Sequence, residues 1–364
     1  MWKWNMYLLG VLAAVSCASE WVEVQCPVVH PFTFCTFAKG CGAGGWLVTF
    51  GPEGRLLGVI TSTGPIKEAK IWDFQSNALL HTIPPPDPAM ACFSLDFSPN
   101  GRLIAIGCVR IHGALSAVRL WDVNAGQRVH DFVIPIRVSP FVKFSPDGKW
   151  LAAAFYEDVK IFDVESGERI RVLSAPANTL AFSPDGKLLA CAIFDRENQG
   201  FPIKLWRTDT WEEVLVLSGH ADTIISLAFS PDAKLLATAS LDGTIKLWDV
   251  AKGRDIHTLL GHNGGVLSVA FHPNGHFLAS SAMDCTIRLW DVKGGQEILM
   301  IDLWSLFNLG EGFGTKQELE IARMVTRVHA VTFSPDGAFL VSSMEILRPD
   351  GCDEAVHVWR LPDF

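Results

Sequence analysis

Residues 219–250 read GHADTIISLAFSPDAKLLATASLDGTIKLWDV, and residues 261–292 read GHNGGVLSVAFHPNGHFLASSAMDCTIRLWDV. Each stretch opens on Gly-His and alternates into a Phe-x-Pro turn. A second apolar run then leads to an Asp turn, and a last run ends in Leu-Trp-Asp-Val. The runs are short, rich in β-branched and aromatic residues, and bounded by Gly, Pro, Asn and Asp, which is the pattern of strands and not of helices. With the run that follows, each stretch predicts four short antiparallel strands, lettered a to d from the inside outward.

The same phrases recur along the chain. Phe-x-Pro turns begin at Phe50, Phe97, Phe144, Phe182, Phe229, Phe271 and Phe333. The matching strand ends carry Trp72, Trp121, Phe162, Trp206, Trp248, Trp290 and Trp359, at steps of 49, 41, 44, 42, 42 and 69 residues. A single four-stranded sheet of this kind cannot bury both faces. Sheets packed face to face around a ring can, and they leave only short protected edges. The expected fold is therefore all-β, a seven-bladed β-propeller of four-stranded antiparallel blades.

Gly219-His220 with Trp248-Asp249, and Gly261-His262 with Trp290-Asp291, resemble the WD-repeat family of β-propellers, in register from about residue 46 to 360. In that family a His, a Ser or Thr, an Asp and the Trp form a hydrogen-bonded tetrad within a blade. The resemblance places one set at His220, Thr238, Asp242 and Trp248, and another at His262, Ser280, Asp284 and Trp290. Ser240 aligns with Ala282, whereas Thr238 aligns with Ser280, so the latter pair supplies the shared hydroxyl. A buried indole N–H, an imidazole and a carboxylate each need partners, and a closed chain of bonds supplies them. The other repeats lack the Gly-His pair; the third has Phe162 for Trp, and the fourth and seventh end Trp206-Arg207 and Trp359-Arg360. The resemblance also implies a non-catalytic scaffold and a shared last blade. The strand count asks for the same closure, and a segment between Glu20 and Phe37 is expected to complete that blade.

Of the 364 residues 49% are apolar and 19% charged, enough for a large core, and the formal charge is −9. With no Lys/Arg run, nucleic acid and anionic membrane surfaces are not expected partners. Nine cysteines occur without a C-x-x-C pair or zinc-site spacing, so no metal is expected and the thiols read as buried and reduced. Cys26, Cys35 and Cys41 lie close enough in sequence for one disulfide in an exported chain. Residues 1–18 have the layout of a secretory leader, with Lys3, an apolar run and Ser16-Cys17-Ala18. The run is too short to span a bilayer. Cys17 also sits as in a lipid-anchored leader, although Ala14 departs from that pattern. A second reading stays open, in which residues 8–16 and 21–24 are a strand pair. The domain plan is thus a leader over 1–18 and one propeller over 19–364. Its compartment is exported or periplasmic under the first reading and cytoplasmic under the second.

Two loop classes, a–b and c–d, stay short and uniform, and in an up-and-down sheet they share one face of the disc. The b–c and d–a loops share the other face and hold nearly every irregularity: residues 84–88, 109–116, 134–140, 195–202, 345–354 and the insert over 302–327. Insertions on one face of a repeat array mark a binding face. We therefore expect a monomeric propeller within a larger assembly, binding a protein or peptide there. Arg110, Arg137, Arg196 and Arg348 are the candidate contacts, since the planar guanidinium makes several bonds at once. In the insert, Thr315 and Glu318 form a T-x-x-E capping box before a helix-compatible stretch over 316–325. A lid over the channel and a cover on the rim are both open for it.

No cofactor is expected. Residues 40–45 match G-x-G-x-x-G but precede a Trp-led strand instead of opening a helix. Residues 309–315 resemble a kinase glycine loop, with no strand Lys, His-Arg-Asp or Asp-Phe-Gly after it. The competing expectation is a propeller hydrolase or lyase with its site at the channel mouth. It needs converging acid and base residues there, and His220, His262, Cys108 with His112, and Cys352 with Asp350 and Asp353 are its candidates.

Overall fold

The computed structural model describes residues 28, 29, 32–41, 47–62, 67–136, 138–194, 200–307, 309, 315, 322, 326–348 and 351–361. The leader and the closing segment as far as Pro27 lie outside them, as does Glu318 of the capping box. Among the described residues seven sheets follow one another in chain order. Blades 1 to 6 are four-stranded and cover residues 48–83, 90–134, 141–173, 177–217, 224–259 and 266–302. In the seventh sheet Arg327–Phe333, Phe339–Arg348 and Gly351–Arg360 supply strands a to c. The outer place is held by Phe32–Cys41, antiparallel to Gly351–Arg360, with the short Val28–Val29 beyond it. The chain is thus an all-β seven-bladed propeller.

Seven buried apolar clusters explain why the sheets close into a ring, one at each junction between neighbours. Each joins the face of one blade to the aromatic strand end of the next. Trp248 packs against Ala190, Ala192 and Leu205 of blade 4, and Trp290 against Ala237, Ala239 and Leu247 of blade 5. The last junction sets Trp72, Leu57 and Val59 of blade 1 against Val341, Val356 and Val358 of blade 7. In blades 1, 3, 4, 5 and 6 the ladder between strands c and d slips at the aromatic residue itself. A bulge re-aims a side chain without ending the strand.

The uniform turns have a polar logic. In the a–b turn of blade 3, the Ser145 hydroxyl donates to Asp147 Oδ1 (2.6 Å) and accepts from the Trp150 N–H (2.9 Å). Ser183 and Asp185, Ser230 and Asp232, and Ser334 and Asp336 repeat the arrangement. The Asp of Trp-Asp caps the c–d turn: Asp73 accepts from Ser76 N–H, Asp122 from Ala125, Asp249 from Lys252 and Asp291 from Gly294.

Two expectations change, and a third element gains detail. Cys92 and Cys108 are joined by a disulfide across directly paired strands of blade 2, while Cys191 is a free buried thiol and the buried Cys285 thiol donates to the Thr326 carbonyl (2.8 Å). Residues 345–354 do not form an irregular loop. Strands b and c of blade 7 run on as a ladder to Arg348↔Gly351, because Arg348-Pro349-Asp350-Gly351 is a turn sequence between two strand-forming runs. The described start of the insert is a wedge. Asp302 caps the helix Leu303–Leu306 by accepting from the Ser305 N–H (3.3 Å) and hydroxyl (2.6 Å), and Leu303 is buried against Ile287, Leu289 and Val328 between blades 6 and 7. Phe307 then stacks on His357, with ring centroids 4.6 Å apart.

Burial pushes the His357 imidazole down to about 4. Above the unfolded value of about 6.5 the ring is neutral in both states and pH has no effect through it. As pH falls from there toward 4, the unfolded chain takes up a proton that the folded one refuses, so stability is lost, by about 3 kcal/mol in full. Urea titrations between pH 7.5 and 4 should show that loss in the wild type and a shallower one in His357→Gln. Equal pH slopes in both proteins would remove His357 from the account.

Candidate functional site

The face of b–c and d–a loops is built on the upper ends of strands held by side-chain networks. In blade 5, His220 Nδ1 lies 2.8 Å from Asp242 Oδ2 and Nε2 lies 2.7 Å from Thr238 Oγ1, while the Trp248 indole donates to the same Oγ1 (3.0 Å). The directions follow from the atoms. A carboxylate only accepts, so Nδ1 carries the proton; Nε2 then accepts from the Thr hydroxyl, whose oxygen takes the indole N–H. Blade 6 brings together His262, Asp284, Ser280 and Trp290 in the same way, at 3.0, 2.8 and 2.8 Å.

The two carboxylates are the hubs. Asp242 also accepts from the Ala221 N–H and from the Thr244 N–H and hydroxyl, and Asp284 from Asn263 and Thr286 in parallel. Burial works against the Asp284 carboxylate, but the bond from His262 and the other donors hold it down at about 2. Asp242 is likewise held low against burial by Thr244, Ala221 and His220. Burial lowers the pKa of His220 despite the pull of Asp242, so the ring stays a neutral donor to its carboxylate. With both nitrogens engaged, neither His220 nor His262 is a free base. Cys108 is spent in its disulfide, which removes the pairing with His112. No group of three His, Cys, Asp or Glu able to hold a metal occurs among the described residues. No helix among them is long and apolar enough to cross a membrane.

The candidate arginines are not gathered into one described site. Arg110 ends strand b of blade 2, half-exposed, with Nη2 at 3.1 Å from Asp87 Oδ2 of the preceding d–a loop. Arg137 and Arg196 lie outside the described residues. Arg348 ends strand b of blade 7 at the tip of the extended hairpin.

Two features escaped the sequence reading. The Trp359 indole donates to Ser342 Oγ at 3.2 Å, so blade 7 keeps half of the network without a Gly-His pair. The signal was the alignment of Ser342 with Thr238 and Ser280. The second is an apolar position just before the acidic residue of the b–c turn, filled by Tyr156 in blade 3, Leu241 in blade 5 and Met283 in blade 6. Tyr156 is 44% exposed, and the other two are half-buried on the same face.

The chain matches the family model for the WD domain, G-beta repeat, at residues 211–249, 253–291 and 323–360. It is 32% identical over 132 residues to the small ribosomal subunit protein RACK1 of Caenorhabditis elegans, covering 35% of this chain and 36% of the relative. It is 31% identical over 81 residues to the protein of the same name from Schizosaccharomyces pombe, covering 22% and 24%. With the cross-pathway control WD-repeat protein 2 of Flammulina velutipes it shares 33% identity over 113 residues, covering 30% and 32%. The matched stretches thus span about a quarter to a third of the length of these relatives.

Thr238 is fully buried, and its hydroxyl joins the His220 imidazole and the Trp248 indole away from water. Thr238→Val should orphan the Trp248 N–H and His220 Nε2 and cost about 3 kcal/mol in urea unfolding, whereas Thr238→Ser should stay within about 1 kcal/mol of wild type. Equal stability of the two variants would show that the network contributes nothing beyond packing.

Proposed function

We propose, from the premise that the chain is a WD-repeat β-propeller, that it is a non-catalytic scaffold whose face of irregular loops binds a protein or peptide segment. The observation that carries this is the set Tyr156, Leu241 and Met283. A b–c turn ordinarily presents polar residues to water, yet three blades offer an aromatic or long apolar side chain at one equivalent position. In blades 5 and 6 the neighbouring Asp is locked by several bonds, so each side chain stands on a rigid base. Apolar anchors on a preorganised frame with a polar surround are the usual composition of a binding hot spot. Half-exposed Arg110 adds a guanidinium at the edge of the same face.

Two of the relatives are named as ribosomal proteins, but ribosomal RNA is not part of this proposal. A chain of net charge −9 lacks the basic surplus that phosphate contact requires. The propeller-enzyme alternative is not favoured, since His220, His262 and Cys108 are engaged in structural bonds, which leaves His112 without the thiol it was paired with.

Affinity capture from the native cells should compare wild type, the double variant Leu241→Glu with Met283→Glu, and Lys234→Glu on the face of uniform turns. The double variant should lose its partners at least tenfold while remaining folded by circular dichroism, and Lys234→Glu should keep them. The same proteins captured at equal levels by all three would place binding elsewhere.

A further inference from the structure

Among the described residues, the face of uniform turns carries two tryptophans at one junction where sister blades carry other residues. Strand b begins with Leu56, Leu103, Leu188, Leu235, Phe277 or Phe339 in six blades, and with Trp150 in blade 3. The c–d turn reaches positive φ at Asn77, Gly126, Gly167, Gly253 and Gly295. In blade 4 that place is taken by Trp211, at φ 58°. A bulky side chain in the left-handed region is strained, and such strain is kept where surroundings or function demand it. The same turn has also lost its capping Asp, since Arg207 stands where Asp249 and Asp291 stand in blades 5 and 6. These departures lie in neighbouring blades, and they meet: the Trp150 and Trp211 rings contact edge to face at 5.3 Å.

Beside them lies an open groove of about 380 Å³, walled by Pro146, Pro184 and Trp150 and edged by the carboxylates of Asp147, Asp185 and Asp209. Oδ1 of Asp147 and of Asp185 is taken by the turn serine and a backbone N–H. Their Oδ2 atoms face Lys149 (3.7 Å) and Lys187 (3.4 Å), whose side chains are 73% and 80% exposed. Such surface pairs are loose and readily exchanged. Asp209 is held by the exposed Arg207 guanidinium through Nε (3.0 Å) and Nη2 (2.5 Å), so one edge of the groove already shows a forked arginine–carboxylate pair.

We propose that this groove between blades 3 and 4 is a second docking site, on the face opposite the irregular loops, that takes an arginine side chain from a basic segment of another protein. An indole wall with carboxylates at its edge suits a flat, always-charged guanidinium, which stacks on the ring and forks to the carboxylate oxygens. A lysine ammonium matches the charge but not the stacking. The volume suits one or two extended side chains and not a folded domain.

The test uses the full chain and a fluorescein-labelled peptide of four Arg-Gly repeats, followed by fluorescence anisotropy, with Lys-Gly and Glu-Gly repeats for comparison. Saturable binding is expected, weaker for the lysine peptide and absent for the glutamate peptide. Trp150→Leu and Trp211→Gly restore the residues of the sister blades, so both should fold, with the second as stable as wild type or more so. Each should bind the arginine peptide at least tenfold more weakly. No saturable binding, equal affinity for the lysine peptide, or affinity unchanged in both variants would overturn the proposal. So would a wild-type dimer in sedimentation velocity that Trp211→Gly dissolves, since the groove would then hold a second copy.

Discussion

A four-stranded sheet with two apolar faces has nowhere to bury either of them except against another sheet, and this constraint governs the rest of the molecule. Each blade lends one face to the aromatic strand end of its successor, from Trp248 against blade 4 to Trp72 against blade 7. An open stack would leave the first and last faces wet. A ring leaves none, and the junction between blades 7 and 1 is built from the same kinds of residue as the others.

The polar bonds serve that arrangement. Turn serines and the Asp of Trp-Asp satisfy backbone N–H groups at many of the tight corners, so these corners hold their shape without burying apolar area. In blades 5 and 6 the buried indole, imidazole and carboxylate form a closed chain. In blade 2 the Trp121 indole N–H has no partner among the described residues, and a disulfide ties strands a and b of that blade instead. Blades thus reach comparable order by different means, and the ring tolerates the difference because packing at the junctions carries the sheets.

Much of this was legible in the chain because strand period, turn residues and aromatic strand ends are local signals. The seven aromatic positions fixed the blades, and the alignment of Thr238 with Ser280 picked out the hydroxyl shared by the two Gly-His repeats. What escaped depends on register or on distant neighbours. Cys92 meets Cys108 only because the ladder slips between Cys92 and Ser94, which spacing does not reveal. Residues 345–354 looked like a loop because their length exceeds that of the sister turns, yet both arms pair to the tip. Trp150 and Trp211 each read as an isolated departure until the fold set blades 3 and 4 side by side. On the candidate site, the sequence indicated which face to inspect, while the shared place of Tyr156, Leu241 and Met283 needed the turns to be superposed.

The two faces divide the labour: uniform turns on one, variable loops on the other, with a closed ring between them giving each a fixed geometry. Closure is the claim on which both depend. Native-state hydrogen exchange at rising urea, resolved by blade, tests it most directly. A closed ring predicts that core-strand amides of blades 1 and 7 merge into the same global opening as those of blades 4 and 5. Exchange of blades 1 and 7 through a separate, lower-energy opening, with the middle blades still protected, would contradict it.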